Sequence, residues 1–200
     1  MKKMIKTSLA FALFGIAICS CNRYQNPHIL IETDLGDIKA VIYLKEAPIT
    51  AANFLHHVDM GTYDAYETLF YRVVRLDNQP RSETKIEVIQ GGLYDDDLID
   101  PIPPIEHETT LATGILHTDG VLSMARGAVG TASTEFFICI GDQPGLDYGG
   151  ARNRDGQGFA AFGKVVKGME VVKQIQLQRD SGQYLLQPVR IKAIKRSPAP

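Results

Sequence analysis

The chain has 200 residues, of which 44% are hydrophobic and 22% charged, and a formal net charge of −2 at pH 7. These values are typical of globular proteins, and the length suits one domain with a sizeable core, which excludes a largely disordered chain. The charge also lacks the basic excess of nucleic-acid-binding proteins, so we predict no nucleic-acid partner.

The N-terminus has the pattern of an export signal. Lys2, Lys3 and Lys6 precede an apolar run over residues 9–18, which is too short to span a bilayer as a helix. We therefore predict that residues 1–20 are a signal peptide. Their removal would leave 18 Lys and Arg against 23 Asp and Glu, a net charge of −5.

The residues from Ile18 to Cys21 resemble a bacterial lipobox, in which a peptidase cuts before the cysteine that then carries lipid. The resemblance implies a mature chain that starts at lipidated Cys21, with residues 21–27 as a tether to a membrane of the bacterial cell envelope, facing the periplasm or the exterior. Several acyl chains on one cysteine are sufficient for stable anchoring. The alternative is an ordinary secretory signal with two incidental cysteines. With Cys19 removed with the signal and Cys21 lipidated, Cys139 would be the only free thiol, so we predict no disulfide framework.

The first predicted elements are a hairpin and a helix. Two alternating apolar runs, residues 28–33 and 37–43, flank Leu35 and Gly36, which predicts a β-hairpin. A proline then begins residues 48–60, where apolar side chains recur every three or four positions. This spacing predicts a first α-helix.

From residue 68 onward, short apolar runs are separated by Gly, Pro and Asp. The runs cover residues 68–75, 86–90, 121–125, 136–140 and 160–166, followed by a second predicted helix over 169–177 and a last strand over 189–194. This spacing is typical of a closed antiparallel barrel. Residues 76–85 and 141–158 are predicted to be long loops, which in a compact domain are usually functional or mobile.

Five segments stand out along the chain: Phe70-Tyr71-Arg72, Val-Ile-Gln-Gly-Gly at 88–92, Val-Leu-Ser-Met-Ala-Arg-Gly at 121–127, Glu-Phe-Phe-Ile-Cys-Ile at 135–140 and Phe-Gly-Lys-Val at 162–165. In this order they resemble the cyclophilin-type peptidyl-prolyl cis-trans isomerases. The resemblance spans roughly residues 30–195. It implies an all-β-dominated domain over residues 28–196, built as a closed eight-stranded antiparallel β-barrel capped by two α-helices. It also implies isomerisation of X-Pro bonds in unfolded or flexible polypeptides, with no cofactor and no metal.

The resemblance also assigns roles to individual residues. Arg72 resembles the catalytic arginine, Gln90 the amide that contacts the substrate backbone, and Phe137 the floor of the proline pocket. The other substrate-binding positions are the main-chain groups of Ala125 and Arg126, the pocket walls Val88 and Leu146, and Glu135 and Phe159, which stand where the family usually has glutamine and histidine.

The chemistry of the reaction explains why an arginine is needed. Rotation about a peptide bond has a barrier of about 18–20 kcal/mol, because the nitrogen lone pair is delocalised into the carbonyl. A donor aimed at the proline nitrogen stabilises only the twisted state, in which the lone pair is localised. Arg72, inside an apolar strand, is suited to this role; an outward-facing strand arginine is the alternative interpretation.

Several positions depart from the family. Tyr71 stands where many members have histidine, Glu87 where an aromatic is usual, and Gly145 where many have tryptophan, which the whole chain lacks. Residues 76–85 resemble an insertion. Two interpretations of Glu135 remain open: it accepts a bidentate hydrogen bond from Arg72, or it is a solvated strand residue.

Other patterns carry no specific chemistry. The acidic run at residues 95–97 lacks the glycine and the spaced glutamate of a calcium loop, and the histidines lack metal-ligand spacing. Neither Ser123 nor Ser133 lies in a nucleophile elbow, which disfavours a hydrolase. The remaining alternatives are a non-catalytic proline-binding module or holdase, favoured by Glu87, and an inert lipoprotein.

Overall fold

The computed structural model describes residues 26–199. The predicted signal peptide, Cys21 and most of the predicted tether lie outside these residues. Among residues 26–199, no helix has the length and apolarity needed to cross a bilayer.

The described residues form nine strands and five helices. The strands are β1 (His28–Thr33), β2 (Gly36–Ile42), β3 (Thr68–Val74), β4 (Val88–Gly92), β5 (Val121–Met124), β6 (Phe136–Cys139), β7 (Ala160–Lys167), β8 (Asp180–Ser181) and β9 (Tyr184–Ser197). The helices are α1 (Pro48–Asp59), α2 (Thr62–Ala65), α3 (Asp96–Ile99), α4 (Thr110–Thr113) and α5 (Met169–Gln176), and a 3-10 turn covers Pro144–Leu146.

Eight strands close the predicted antiparallel barrel. Their order is β1-β2-β7-β5-β6-β4-β3-β9, and β9 pairs back with β1 from His28–Ser197 to Thr33–Ile191. The two-residue β8 pairs only with the start of β9. The two longest helices, α1 and α5, occupy the predicted positions. The predicted fold class is therefore confirmed, with three single-turn helices and β8 as additions.

Aromatic side chains fill the barrel interior beneath α1. Phe54 of α1 is fully buried and lies 4.9 Å from Phe162 and 5.5 Å from Phe136, measured between ring centroids. Burying one such side chain contributes about 1.5–3 kcal/mol. These contacts fix α1 over the barrel and hold β6 and β7 in place.

A second apolar cluster, which we call the outer cluster, lies on the outside of the barrel wall. Its buried members are Val74, Ile86, Val88, Phe137, Cys139 and Leu146. Alternate residues of β4 and β6 belong to the interior core instead, among them Ile89, Phe136 and Ile138. Because successive strand residues point to opposite faces, the outer cluster is on the face of the sheet that the loops cover.

A β-bulge at Tyr71 turns Arg72 to this outer face. In β3, Phe70 pairs with Gly91 and Arg72 pairs with Gln90, so Tyr71 is the extra residue. Phe70 belongs to the interior core, and strict alternation would therefore point Arg72 inward too. The extra residue shifts the alternation by one, as bulges do beside active sites. The arginine side chain consequently lies half-buried on the face that carries the outer cluster, and it is not the solvated strand arginine of the alternative interpretation.

Candidate active site

One cleft of about 400 Å³ lies over the outer cluster. All nine residues predicted to act in catalysis or substrate binding line it: Arg72, Val88, Gln90, Ala125, Arg126, Glu135, Phe137, Leu146 and Phe159. Strands β3, β4 and β6 and the residues after β5 supply the wall, and the loop over residues 141–158 supplies part of the rim. The structure thus brings the predicted residues together at one place on the barrel.

The floor of the cleft is an apolar slot. The Phe137 ring is 4% exposed and meets the Phe159 ring edge-on, with centroids 5.4 Å apart and planes at 87°. Val88 and the fully buried Leu146 belong to the same cluster. These side chains offer hydrocarbon surface, which suits the pyrrolidine ring of a proline. Phe159 adds to this apolar wall.

Arg72 is held at the edge of the slot by two neutral amides. Its Nη1 donates to Oε1 of Gln90 at 2.8 Å, and its Nε and Nη2 donate to Oε1 of Gln183 at 3.1 Å and 2.6 Å. Fixing three donors removes much of the conformational freedom of a long side chain. Because both acceptors are uncharged, the guanidinium keeps its full charge for a ligand.

A chain of hydrogen bonds fixes Gln90 in turn. Its Nε2 donates to the Tyr71 hydroxyl at 2.7 Å, and that hydroxyl donates to Oε2 of Glu135 at 2.6 Å. Burial and the Glu135 carboxylate both raise the pKa of Tyr71, so the phenol stays protonated. Burial also raises the pKa of Glu135, although hydrogen bonds from Tyr71 and from the Leu93 amide act against the shift.

Glu135 neither accepts a hydrogen bond from Arg72 nor lies in solvent, so both interpretations offered by the sequence were wrong. Its Oε1 accepts the backbone N–H of Leu93 at 2.6 Å, and it forms no hydrogen bond with Arg72. It is also mostly buried and therefore not a solvated strand residue. A side chain on Gly92 would overlap it, because a Cβ there would lie 2.0 Å from Oε1. Gly92 thus allows the carboxylate to approach the backbone, and Glu135 acts on Arg72 only through Tyr71 and Gln90.

Glu87 does not occupy the pocket, which corrects the expected departure from the family. Ile86 lines the cleft beside Val88, and Glu87 lies on the opposite face with its Oε1 3.5 Å from Nε2 of Gln176. Alternation along the chain explains the placement, because neighbours point to opposite sides. The pocket wall is therefore apolar at this point, with Ile86 in place of an aromatic ring.

The predicted main-chain contacts are placed at the cleft edge. The amide of Ala125 donates to the Glu135 carbonyl at 2.8 Å and is already used within the sheet. The Arg126 guanidinium lies 5.1 Å from the centre of the Phe159 ring and donates to the Gly158 carbonyl at 2.6 Å. Its contact with Asp155 lowers the pKa of that carboxyl to about 2. The Arg126 side chain therefore supports Phe159 from behind.

The predicted insertion packs directly onto the other long loop. Nη1 of Arg152 donates to Gln79 Oε1 at 2.9 Å, Ser82 Oγ at 2.6 Å and the Thr84 carbonyl at 2.9 Å. The Thr84 methyl lies over Gly145, where an added Cβ would approach it to 2.5 Å. The space that a larger side chain at position 145 would use is thus already filled.

Ser123 lies in a buried row with a histidine and an aspartate beneath the pocket floor. His117 Nε2 lies 2.9 Å from Ser123 Oγ, and His117 Nδ1 lies 2.8 Å from Asp147 Oδ1. Ser123 is fully buried, and the His117 ring stacks on Phe137 at 6.0 Å. Since no substrate can reach the Ser123 hydroxyl, the row supports the floor rather than hydrolysis.

Sequence analysis gave no role to three residues that support or line the site. Gln183 lies in the turn between β8 and β9 with a φ of 78°, distant in sequence from Arg72. Ile86 was assigned to a strand but given no role, and Arg152 lies within a loop that shows no periodicity. The Ser181-Gly182 pair was the one local signal, since it indicates a turn that brings Gln183 back to the sheet.

Comparison with known proteins identifies the family. The family model described as cyclophilin type peptidyl-prolyl cis-trans isomerase/CLD matches residues 28–196. The chain is 33% identical over 181 residues to peptidyl-prolyl cis-trans isomerase A of Dickeya dadantii, covering 88% of this chain and 84% of the relative. It is 32% identical over 168 residues to a peptidyl-prolyl cis-trans isomerase of Acinetobacter baylyi, covering 84% and 80%.

Solved structures support the fold. A crystal structure of a Cryptosporidium parvum cyclophilin-type isomerase matches with a TM-score of 0.68 at 22% identity and covers 88% of this chain and 99% of its own. A second structure of that protein, determined in the presence of the dipeptide Ala-Pro, matches with a TM-score of 0.67.

The chain therefore belongs to the cyclophilin family. Its function is that of a peptidyl-prolyl cis-trans isomerase, as in the relatives that cover most of its length.

Proposed function

We propose that this isomerase accelerates X-Pro isomerisation in proteins that fold in or beyond the bacterial cell envelope, that Arg72 is its catalytic residue, and that lipid on Cys21 anchors it to a membrane. The observation that carries the catalytic part is the Arg72 guanidinium, which is oriented by two neutral amides at the edge of an apolar slot. Uncatalysed isomerisation takes tens to hundreds of seconds, slow enough to limit folding.

The mechanism requires no covalent step. The proline ring enters the slot over Phe137, and the Gln90 and Ala125 region positions the flanking backbone. As the X-Pro bond twists, the lone pair localises on the proline nitrogen, and Arg72 donates a hydrogen bond to it. Since the planar isomers offer no such acceptor, this contact stabilises the transition state selectively. No ATP is consumed, which suits a compartment outside the cytoplasm.

The non-catalytic binding module is no longer supported by any residue of the cleft. It rested on Glu87 as a polar replacement within the pocket, and Glu87 points to the other face. A site that only held proline would need the apolar slot but not an oriented charge. The three hydrogen bonds that orient Arg72 therefore favour turnover.

The envelope part of the proposal rests on the residues from Ile18 to Cys21 and the apolar run before them. The test is intact-mass analysis of the full chain expressed in a bacterium, after separation of membrane and soluble fractions. The wild type should appear in membranes, cut before Cys21 and carrying acyl chains. Cys21→Ser should be unprocessed or soluble, while Cys19→Ser, whose residue leaves with the signal, should behave as the wild type. Cleavage elsewhere without acylation would refute the anchor.

A further inference from the structure

A second arginine lines the cleft beside the proposed catalytic one. Arg152, from the long loop over residues 141–158, shares the cleft lining with Arg72. It is half-buried, and both burial and the charge of Arg72 lower the pKa of Arg152. Because both arginines line the same cleft, their like charges repel each other. Such an arrangement costs free energy unless a negative charge offsets it.

Neither arginine has an acidic partner among residues 26–199. Arg72 is bonded to the amide oxygens of Gln90 and Gln183, and Arg152 to an amide, a hydroxyl and a carbonyl oxygen. By contrast, the cleft arginine Arg126 forms an ion pair with Asp155. The lack of neutralisation is thus specific to the Arg72–Arg152 side of the cleft.

The acidic residues of the cleft lining do not supply the missing charge. Glu135 is bonded to the Tyr71 hydroxyl and to the backbone of Leu93, on the far side of Gln90 from the guanidinium. Asp96 lies at the start of α3, is exposed, and forms no salt bridge within residues 26–199. The excess positive charge on the Arg152 side therefore remains available to a ligand.

The hydrogen bonds of Arg152 leave one edge of its guanidinium open. All three of its bonds to the insertion are made by Nη1, while Nε and Nη2 have no partner among the residues that the structure describes. Nε and Nη2 form the edge that a carboxylate takes in a side-on bidentate contact. The insertion thus fixes the guanidinium through Nη1 without using the donors that recognise an anion.

We propose that Arg152 is a specificity-determining residue that binds the carboxylate of an Asp or Glu side chain within two residues of the isomerising proline. A cleft of about 400 Å³ holds a proline and its immediate neighbours, so the carboxylate must be close in sequence. The preferred clients are then acidic proline-containing segments. This inference rests on the proposed function of the cleft as the isomerase site.

The test compares peptides that differ by one charge. Four N-acetylated, C-terminally amidated pairs carry Glu or Gln at one of the two positions before, or one of the two positions after, a single proline. Turnover is measured by NMR exchange spectroscopy and binding by isothermal titration calorimetry. In at least one pair, the wild type should prefer the Glu peptide by about tenfold in kcat/KM and in affinity, as expected for a charge-assisted hydrogen bond.

Variants separate recognition from loop support. Arg152→Gln should abolish the preference, Arg152→Lys should keep part of it, and Arg154→Gln, an exposed arginine of the same loop, should leave it unchanged. If Arg152 only braces the insertion, Arg152→Gln will slow both peptides equally and keep their ratio, which overturns the proposal. Equal affinity of the wild type for the Glu and Gln peptides in every pair also overturns it.

The two measurements also keep this inference distinct from the proposed function. An absence of turnover on all peptides, with the Glu preference in binding intact, would refute the proposed catalysis and leave the Arg152 assignment standing. Turnover without a Glu preference would support the proposed catalysis and refute the Arg152 assignment.

Discussion

Tyr71→Phe should weaken both stability and catalysis, because its hydroxyl joins the two halves of the site. The hydroxyl donates to Glu135 at 2.6 Å and accepts from Gln90 at 2.7 Å. A hydrogen bond to a charged group contributes about 1.5–3 kcal/mol and a neutral one about 1 kcal/mol. Since water can replace part of both contacts, we expect the free energy of unfolding to fall by about 2–3 kcal/mol.

The catalytic effect should be smaller than the loss of Arg72 itself. Without the hydroxyl, the Gln90 amide is free to rotate and no longer presents Oε1 to the arginine in one orientation, but the two hydrogen bonds that Arg72 donates to Gln183 remain. Loss of one orienting hydrogen bond corresponds to a fall in kcat/KM of about tenfold. A protease-coupled assay of a proline-containing tetrapeptide measures this change, and urea denaturation measures the stability.

Tyr184→Phe is the matched control for this variant. Tyr184 is exposed, stacks on the Tyr71 ring, and its hydroxyl forms no hydrogen bond within residues 26–199. It should therefore retain wild-type stability and activity. If Tyr71→Phe folds and turns over substrate as fast as this control, the hydrogen-bond chain does not position Arg72.

Two further predictions follow from the same site. Cyclosporin-type macrocycles should bind this protein with an affinity about two to three orders of magnitude below that for typical family members, a loss of about 3–5 kcal/mol. The reason is that Gly145 offers no indole and Thr84 fills the space above it. Nanomolar inhibition in a drug titration would contradict this. Because the pKa of Glu135 is raised in the folded state, ionisation of this carboxyl disfavours folding. The free energy of unfolding of the wild type, measured relative to that of Glu135→Gln, should therefore fall as pH rises from 4.5 through the raised pKa, and then level off. A difference between the two proteins that does not depend on pH in urea denaturation would contradict this.

The barrel could be predicted from the sequence because each strand and helix is marked by the spacing of apolar residues within its own segment. Alternating apolar residues mark β1, β2 and the strands around Phe136, and the three-to-four spacing marks α1 and α5. The strand predicted over residues 189–194 is the middle part of β9; its start at Tyr184 was missed, because Gln187 and Pro188 interrupt the apolar pattern there.

The arrangement within the site was less predictable because it depends on pairing between distant segments. The bulge at Tyr71 exists only in the pairing of β3 with its neighbours, so alternation alone could not tell which way Arg72 points. Likewise Gln183 reaches Arg72 from 111 residues away, and no local pattern reports such a contact. Glu135 was expected near the site, but its partner Tyr71 was identified only by the three-dimensional structure.

The central claim is that Arg72 stabilises the twisted X-Pro bond, and one measurement tests it most directly. NMR exchange spectroscopy on an Ala-Pro peptide should compare the chain beginning at Asn22 with its Arg72→Ala variant, and with Arg154→Gln as the charge-matched control. Arg72→Ala should lose about 2–4 kcal/mol of transition-state stabilisation, as when one preorganised donor is removed, with a much smaller change in peptide affinity. A folded Arg72→Ala variant that interconverts the isomers as fast as the wild type would contradict the account.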